Sequence, residues 1–68
     1  MDVAAVADLL RETSEHHGAF EAVAPAHEWW DWYAAYMEAR ESGSTPEEAS
    51  GAAGRYMAEV KHIVVPPA

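Results

Sequence analysis

The sequence predicts an all-α fold, a small three-helix bundle spanning about residues 3–23, 25–42 and 46–63. Three observations predict it. Apolar residues recur at helical spacing in three separate stretches, each stretch opens on a capping signal, and Gly and Pro punctuate the gaps. At 68 residues the chain reads as one helical domain, residues 1–63, followed by a tail, residues 64–68.

Asp2 is the expected N-cap of the first helix. Residues placed at intervals of about 100° put Val3, Val6, Leu9, Leu10, Thr13, His17 and Phe20 within about 120° of arc. Asp8, Arg11, Glu12 and Glu15 lie across from them. Gly18 interrupts the pattern at a cost of about 1 kcal/mol relative to Ala, so a kink or an early stop is expected there.

Pro25 suits the first turn of the second helix, where its missing N–H needs no partner. The stretch then runs to Gly43, a natural residue just past a helix end. Trp29, Trp30, Trp32, Tyr33, Tyr36 and Met37 occupy about 160° of its wheel, opposite His27, Glu28, Asp31 and Glu38.

Thr45-Pro46-Glu47-Glu48 is the sharpest local signal in the chain. Thr45 stands at N-cap, Pro46 at N1 and Glu48 at N3, which completes a capping box. Both carboxylates also meet the positive end of the helix dipole. The apolar arc of this third helix holds Ala49, Ala52, Ala53, Tyr56, Met57, Val60 and Ile63. Its small residues make room for the large rings of the second helix. Two prolines keep the tail Val64-Val65-Pro66-Pro67-Ala68 out of a helix, extended or docked as a short polyproline segment.

Composition narrows the function. Twelve Asp and Glu against four Lys and Arg leave a formal charge of −8, which repels phosphate backbones and argues against a nucleic-acid partner. No apolar run approaches the ~20 residues of a membrane span, and no basic-then-apolar start reads as a secretory signal. The absence of cysteine removes disulfides and thiolate zinc sites and makes the cytoplasm the default compartment. Half the residues are apolar, but fifteen of those thirty-four are alanine, and only ten residues are Leu, Ile, Val or Phe. A chain of this size buries about 60% of its unfolded surface. Association with a second copy or with a larger protein is therefore a physical expectation.

The run from His27 to Met57 reads H-E-W-W-D-W-Y-A-A-Y-M-E-A-R, then G-S-T-P-E-E-A, then R-Y-M, and residues 15–21 read E-H-H-G-A-F-E. Over about residues 6–60 the chain resembles a small helical module found with bacterial bleomycin-resistance or glyoxalase-like proteins of the vicinal oxygen chelate superfamily. The βαβββ units of that superfamily are absent here, so its antibiotic groove and metal site map onto no residue of this chain. The resemblance implies a helical accessory module.

Two polar groups could carry chemistry. His17 and Glu21 stand one turn apart on the first helix, as a metal half-site, as a base with its orienting carboxylate, or as a core histidine hydrogen-bonded to Glu21 or to a tyrosine hydroxyl. His27 and Asp31 share i, i+4 spacing on the second helix, either as two metal ligands or as part of a solvated polar face. Trp29, Trp30, Trp32, Tyr33, Tyr36 and Tyr56 form an aromatic face for a partner or for a flat or cationic ligand, with core packing as the plainer reading. One of Trp30 and Trp32 is expected at a second interface. No nucleophile motif or phosphate-binding glycine loop is present. The leading expectation is a non-enzymatic interaction or accessory module, homo-oligomeric or docked on a larger partner, with no cofactor. A small-molecule or antibiotic-binding protein and a divalent-metal enzyme are the alternatives.

Overall fold

The structure, a computed structural model, describes residues 2–67, so Met1 of the domain and Ala68 of the tail lie outside the described residues. Three helices follow in order: α1 (Val3–Glu21), α2 (Trp29–Glu41) and α3 (Pro46–Glu59). No strand occurs among the described residues. The architecture is a small all-α three-helix bundle.

The caps explain where the helices begin. Asp2 accepts a hydrogen bond from the Ala5 N–H at 2.8 Å. At α3 the capping box is complete: the Glu48 N–H donates to Thr45 Oγ1 at 3.2 Å, and the Thr45 N–H donates to Glu48 Oε1 at 2.9 Å. The helix α2 starts later than its sequence suggests. Residues 25–28 are not helical, Pro25 is not its first residue, and Glu28 stands at N-cap without a capping side-chain bond. A proline fits an extended linker as well as a first turn, and here the linker wins. The ends shorten too. Helix α1 stops at Glu21, ahead of the expected 23, and α3 stops at Glu59, ahead of 63, where His62 turns the chain with φ 59°. Helix α2 ends on the expected glycine: Gly43 takes φ 102°, a conformation that side chains with a Cβ resist.

The core is built from large residues set against small ones. Trp32, Tyr36 and Met57 are fully buried, together with Ala39, Ala49 and Ala53, and Leu9, Phe20, Tyr33 and Ile63 pack around them. The main interface runs between α2 and α3, where the alanines of α3 let the rings of α2 approach. Helix α1 packs mainly on α2. Thr13 and His17 are its buried residues, and Thr13 returns its hydroxyl proton to the Leu9 carbonyl at 2.6 Å. The expected apolar arc of α1 is therefore covered along one line, from Val6 and Leu9 through Thr13 and His17 to Phe20, while Val3 and Leu10 stay exposed.

Glu12 corrects the expected wheel. It is half-buried, not solvated, and ties α1 to α2. The Tyr36 hydroxyl donates to Glu12 Oε2 at 2.6 Å, and Arg40 donates from Nε to Oε2 at 2.8 Å and from Nη2 to Oε1 at 3.3 Å. Arg40 Nη1 also donates to the Ser44 carbonyl at 2.8 Å, so the same side chain closes the α2–α3 turn. His16 stacks on Tyr36 at 5.4 Å between ring centroids.

Candidate functional site

The site forms where the last turns of α1, the linker 25–28 and the first turns of α2 meet. Three local features set it up. Helix α1 carries His17 and Glu21 on one face, one turn apart. In the folded-back linker His27 Nδ1–H donates to the Pro25 carbonyl at 2.7 Å, a bond across two residues that fixes the ring. The start of α2 then places Trp29, Trp32 and Tyr33 beside them.

His17 is 5% exposed and sits inside a ring of aromatic groups. Its centroid lies 5.3 Å from Trp32, 5.3 Å from Tyr33, 6.3 Å from Phe20 and 5.2 Å from His27. The decisive contact is polar: His17 Nε2 is 2.9 Å from His27 Nε2. A carbonyl only accepts, so His27 must carry its proton on Nδ1 to bond Pro25. Its Nε2 is then a bare lone pair, and His17 Nε2–H donates to it. The expected partner of His17, Glu21 or a tyrosine hydroxyl, is thus replaced by a histidine ten residues along the chain. Burial lowers the pKa of His17, the nearby Glu21 carboxylate opposes that shift, and His27 adds to it.

Glu21 completes the group. One ligand atom from each of His17, Glu21 and His27 can be chosen so that all three lie within 4.8 Å of one another. His17 and Glu21 also line a groove of about 630 Å³ whose other walls are Leu10, Ser14, Gly18, Trp29 and Tyr33. On its other side, His27 borders a cleft of about 450 Å³ between the linker and the end of α3.

Asp31 does not join this group. The expected i, i+4 pair with His27 needs both residues on one helix, and His27 precedes α2. Asp31 instead faces Lys61, 3.6 Å away across the α3 end. The aromatic residues also divide. Trp32 and Tyr36 are core, stacked at 5.2 Å, so Trp32 is unavailable to a partner, and its indole N–H finds no acceptor. Tyr33 and Tyr56 are half-buried. Trp29 and Trp30 remain exposed, meeting each other edge-to-face at 5.5 Å. The juxtaposition of His17 with His27 is what sequence reasoning missed. Its one available signal was the Ala24-Pro25-Ala26 stretch, which allows a linker that folds back.

No protein-family model, curated protein or solved structure matches the chain. Among the described residues, no helix is long and apolar enough to cross a membrane.

Proposed function

We propose that this chain is a non-enzymatic helical interaction module that pairs with a second copy of itself through the exposed aromatic start of α2. One observation carries this reading. Trp29 and Trp30 are 53% and 52% exposed, although the same helix supplies the two largest buried rings of the core. Trp29 also rests against Tyr33 at 4.9 Å, and Leu10 borders the same groove, which makes the apolar surface continuous from α2 to α1. Tryptophans placed this way are typical anchors of protein interfaces. The size of the core favours a second copy as the partner. It contains six buried apolar residues, three of them alanines, so a second copy supplies burial that the monomer lacks. A two-fold axis lets one patch serve both chains.

Sedimentation equilibrium across the micromolar range, read together with tryptophan emission, tests the proposal. The expected outcome is a dimer that dissociates on dilution with a red shift of the emission. Trp30→Ala should stay monomeric at the same concentrations with its helical circular dichroism unchanged. A wild-type chain that is monomeric throughout sinks the reading. The groove walled by Trp29 and Tyr33 favours a second reading, in which it takes a small aromatic or cationic ligand. Such a ligand would compete with pairing.

A further inference from the structure

We propose that His17, Glu21 and His27 hold a single divalent transition-metal ion of the zinc class, with a coordination position left open towards the groove beside Trp29 and Tyr33. Four observations support the site. The donor set is two imidazoles and a carboxylate, which suits zinc and its neighbours better than calcium or magnesium. The three donors converge from two separate chain segments and lie within 4.8 Å of one another. The distances are also close to what an ion needs. With metal–nitrogen bonds of about 2.0–2.1 Å, nitrogens 2.9 Å apart subtend about 90°, and a tetrahedral angle needs about 3.3 Å. An ion therefore requires the rings to part by about 0.4 Å, and the exposed Glu21 carboxylate, placed within 4.8 Å of the nitrogens, to close to about 3.4 Å, both within the reach of side-chain rotation.

The fourth observation is the orientation of His27. Metal-binding histidines commonly donate their second ring N–H to a carbonyl or carboxylate, which fixes the tautomer and aims the other nitrogen. The bond from His27 Nδ1–H to the Pro25 carbonyl does this, leaving the Nε2 lone pair facing His17. To bind the ion, His17 shifts its own proton from Nε2 to Nδ1, so that both Nε2 atoms become donors. The aromatic walls of Phe20, Trp32 and Tyr33 hold His17 in place. Glu21 is exposed at the end of α1 and provides the negative charge that an ion beside two neutral imidazoles requires. Three protein ligands and one free position is the arrangement that lets a metal bind water or a further oxygen donor. That position is reached from the groove, because His17 and Glu21 line it.

The ligand set lies within one chain and does not require self-association, although its open position faces the groove beside the proposed pairing face. Isothermal titration of the full chain with Zn²⁺ alone reads the stoichiometry, and Co²⁺ absorption in the visible region reads the coordination. The expected result is one ion per chain and a four-coordinate Co²⁺ spectrum. His27 lies in the linker and Glu21 at a helix end, so His27→Ala and Glu21→Ala should keep their helical circular dichroism. Each should weaken Zn²⁺ binding at least about tenfold. His62→Ala, which alters an exposed histidine outside the site, should bind as the wild type does. Absence of stoichiometric Zn²⁺ binding, or undiminished affinity in either His27→Ala or Glu21→Ala, overturns the assignment.

Discussion

Glu12 shows how one side chain ties two helices together. It receives bonds from Arg40 and from the Tyr36 hydroxyl, which lie one turn apart on α2. The Arg40 guanidinium, followed by the Tyr36 hydroxyl, holds the Glu12 carboxyl below its ordinary range against the opposing effect of burial. Burial and the bond to Glu12 raise the pKa of Tyr36, so its hydroxyl remains a donor well into base. The sign of the pH effect follows. The unfolded chain binds this proton more tightly than the folded one. The contribution of Glu12 is therefore complete above the unfolded carboxylate pKa and is lost as pH falls through the lower folded value. Glu12→Gln should cost about 1–2 kcal/mol near neutrality, between the values for an exposed ion pair and for a buried charged hydrogen bond. Urea unfolding of both proteins at neutral and acidic pH checks this, and the gap between them should close in acid. A gap that widens on acidification contradicts the assigned role.

At the scale of elements, α1 runs unbroken through Gly18, and the expected kink is absent. A Cβ at that position meets nothing within 4 Å. Gly18→Ala should therefore raise stability by about 0.5–1 kcal/mol, because it removes backbone freedom from the unfolded chain without a clash. A thermal midpoint that falls would mean that the position has a tighter neighbour. The start of α3 carries the opposite prediction. Thr45→Ala deletes the acceptor for the Glu48 N–H and should cost about 1 kcal/mol. Thr45→Ser should recover most of it, since the hydroxyl returns. Equal midpoints for the alanine variant and the wild type would mean that α3 does not depend on this cap.

The whole molecule is governed by an acidic surface and a small core. Three of its four Lys and Arg already face carboxylates: Arg11 faces Asp8, Arg40 faces Glu12 and Lys61 faces Asp31. Most of the remaining acidic groups face solvent. Two copies brought together along their tryptophans then repel each other through these charges, and salt screens that repulsion. The proposed dimer should consequently tighten as ionic strength rises from about 0.01 M to about 0.5 M, where the Debye length shrinks severalfold. Sedimentation at several salt concentrations measures it. A dimer that loosens with salt would mean that ion pairs, and not the tryptophan face, hold the two copies together.

Three helices, the capping box at Thr45 and the turn at Gly43 are determined by the sequence alone, because each rests on interactions within a few residues. Helical spacing assigns Trp32, Tyr36, Ala49, Ala53 and Met57 to inward faces on the same local ground, and the structure buries all five. The tertiary structure decides the rest. Trp29 and Trp30 share a stripe with Trp32, but only the packing of α1 and α3 against α2 leaves two of these rings exposed and one in the core. Glu12 belongs to a polar face until α2 brings Arg40 and Tyr36 within reach. The site itself depends on the linker. Pro25 permits a helix start or an extended turn, and its local energetics do not separate them. Once the chain folds back, His27 leaves Asp31 and meets His17, ten residues away. That contact exists only between packed elements, so neither its spacing nor its pairing is written in any local pattern.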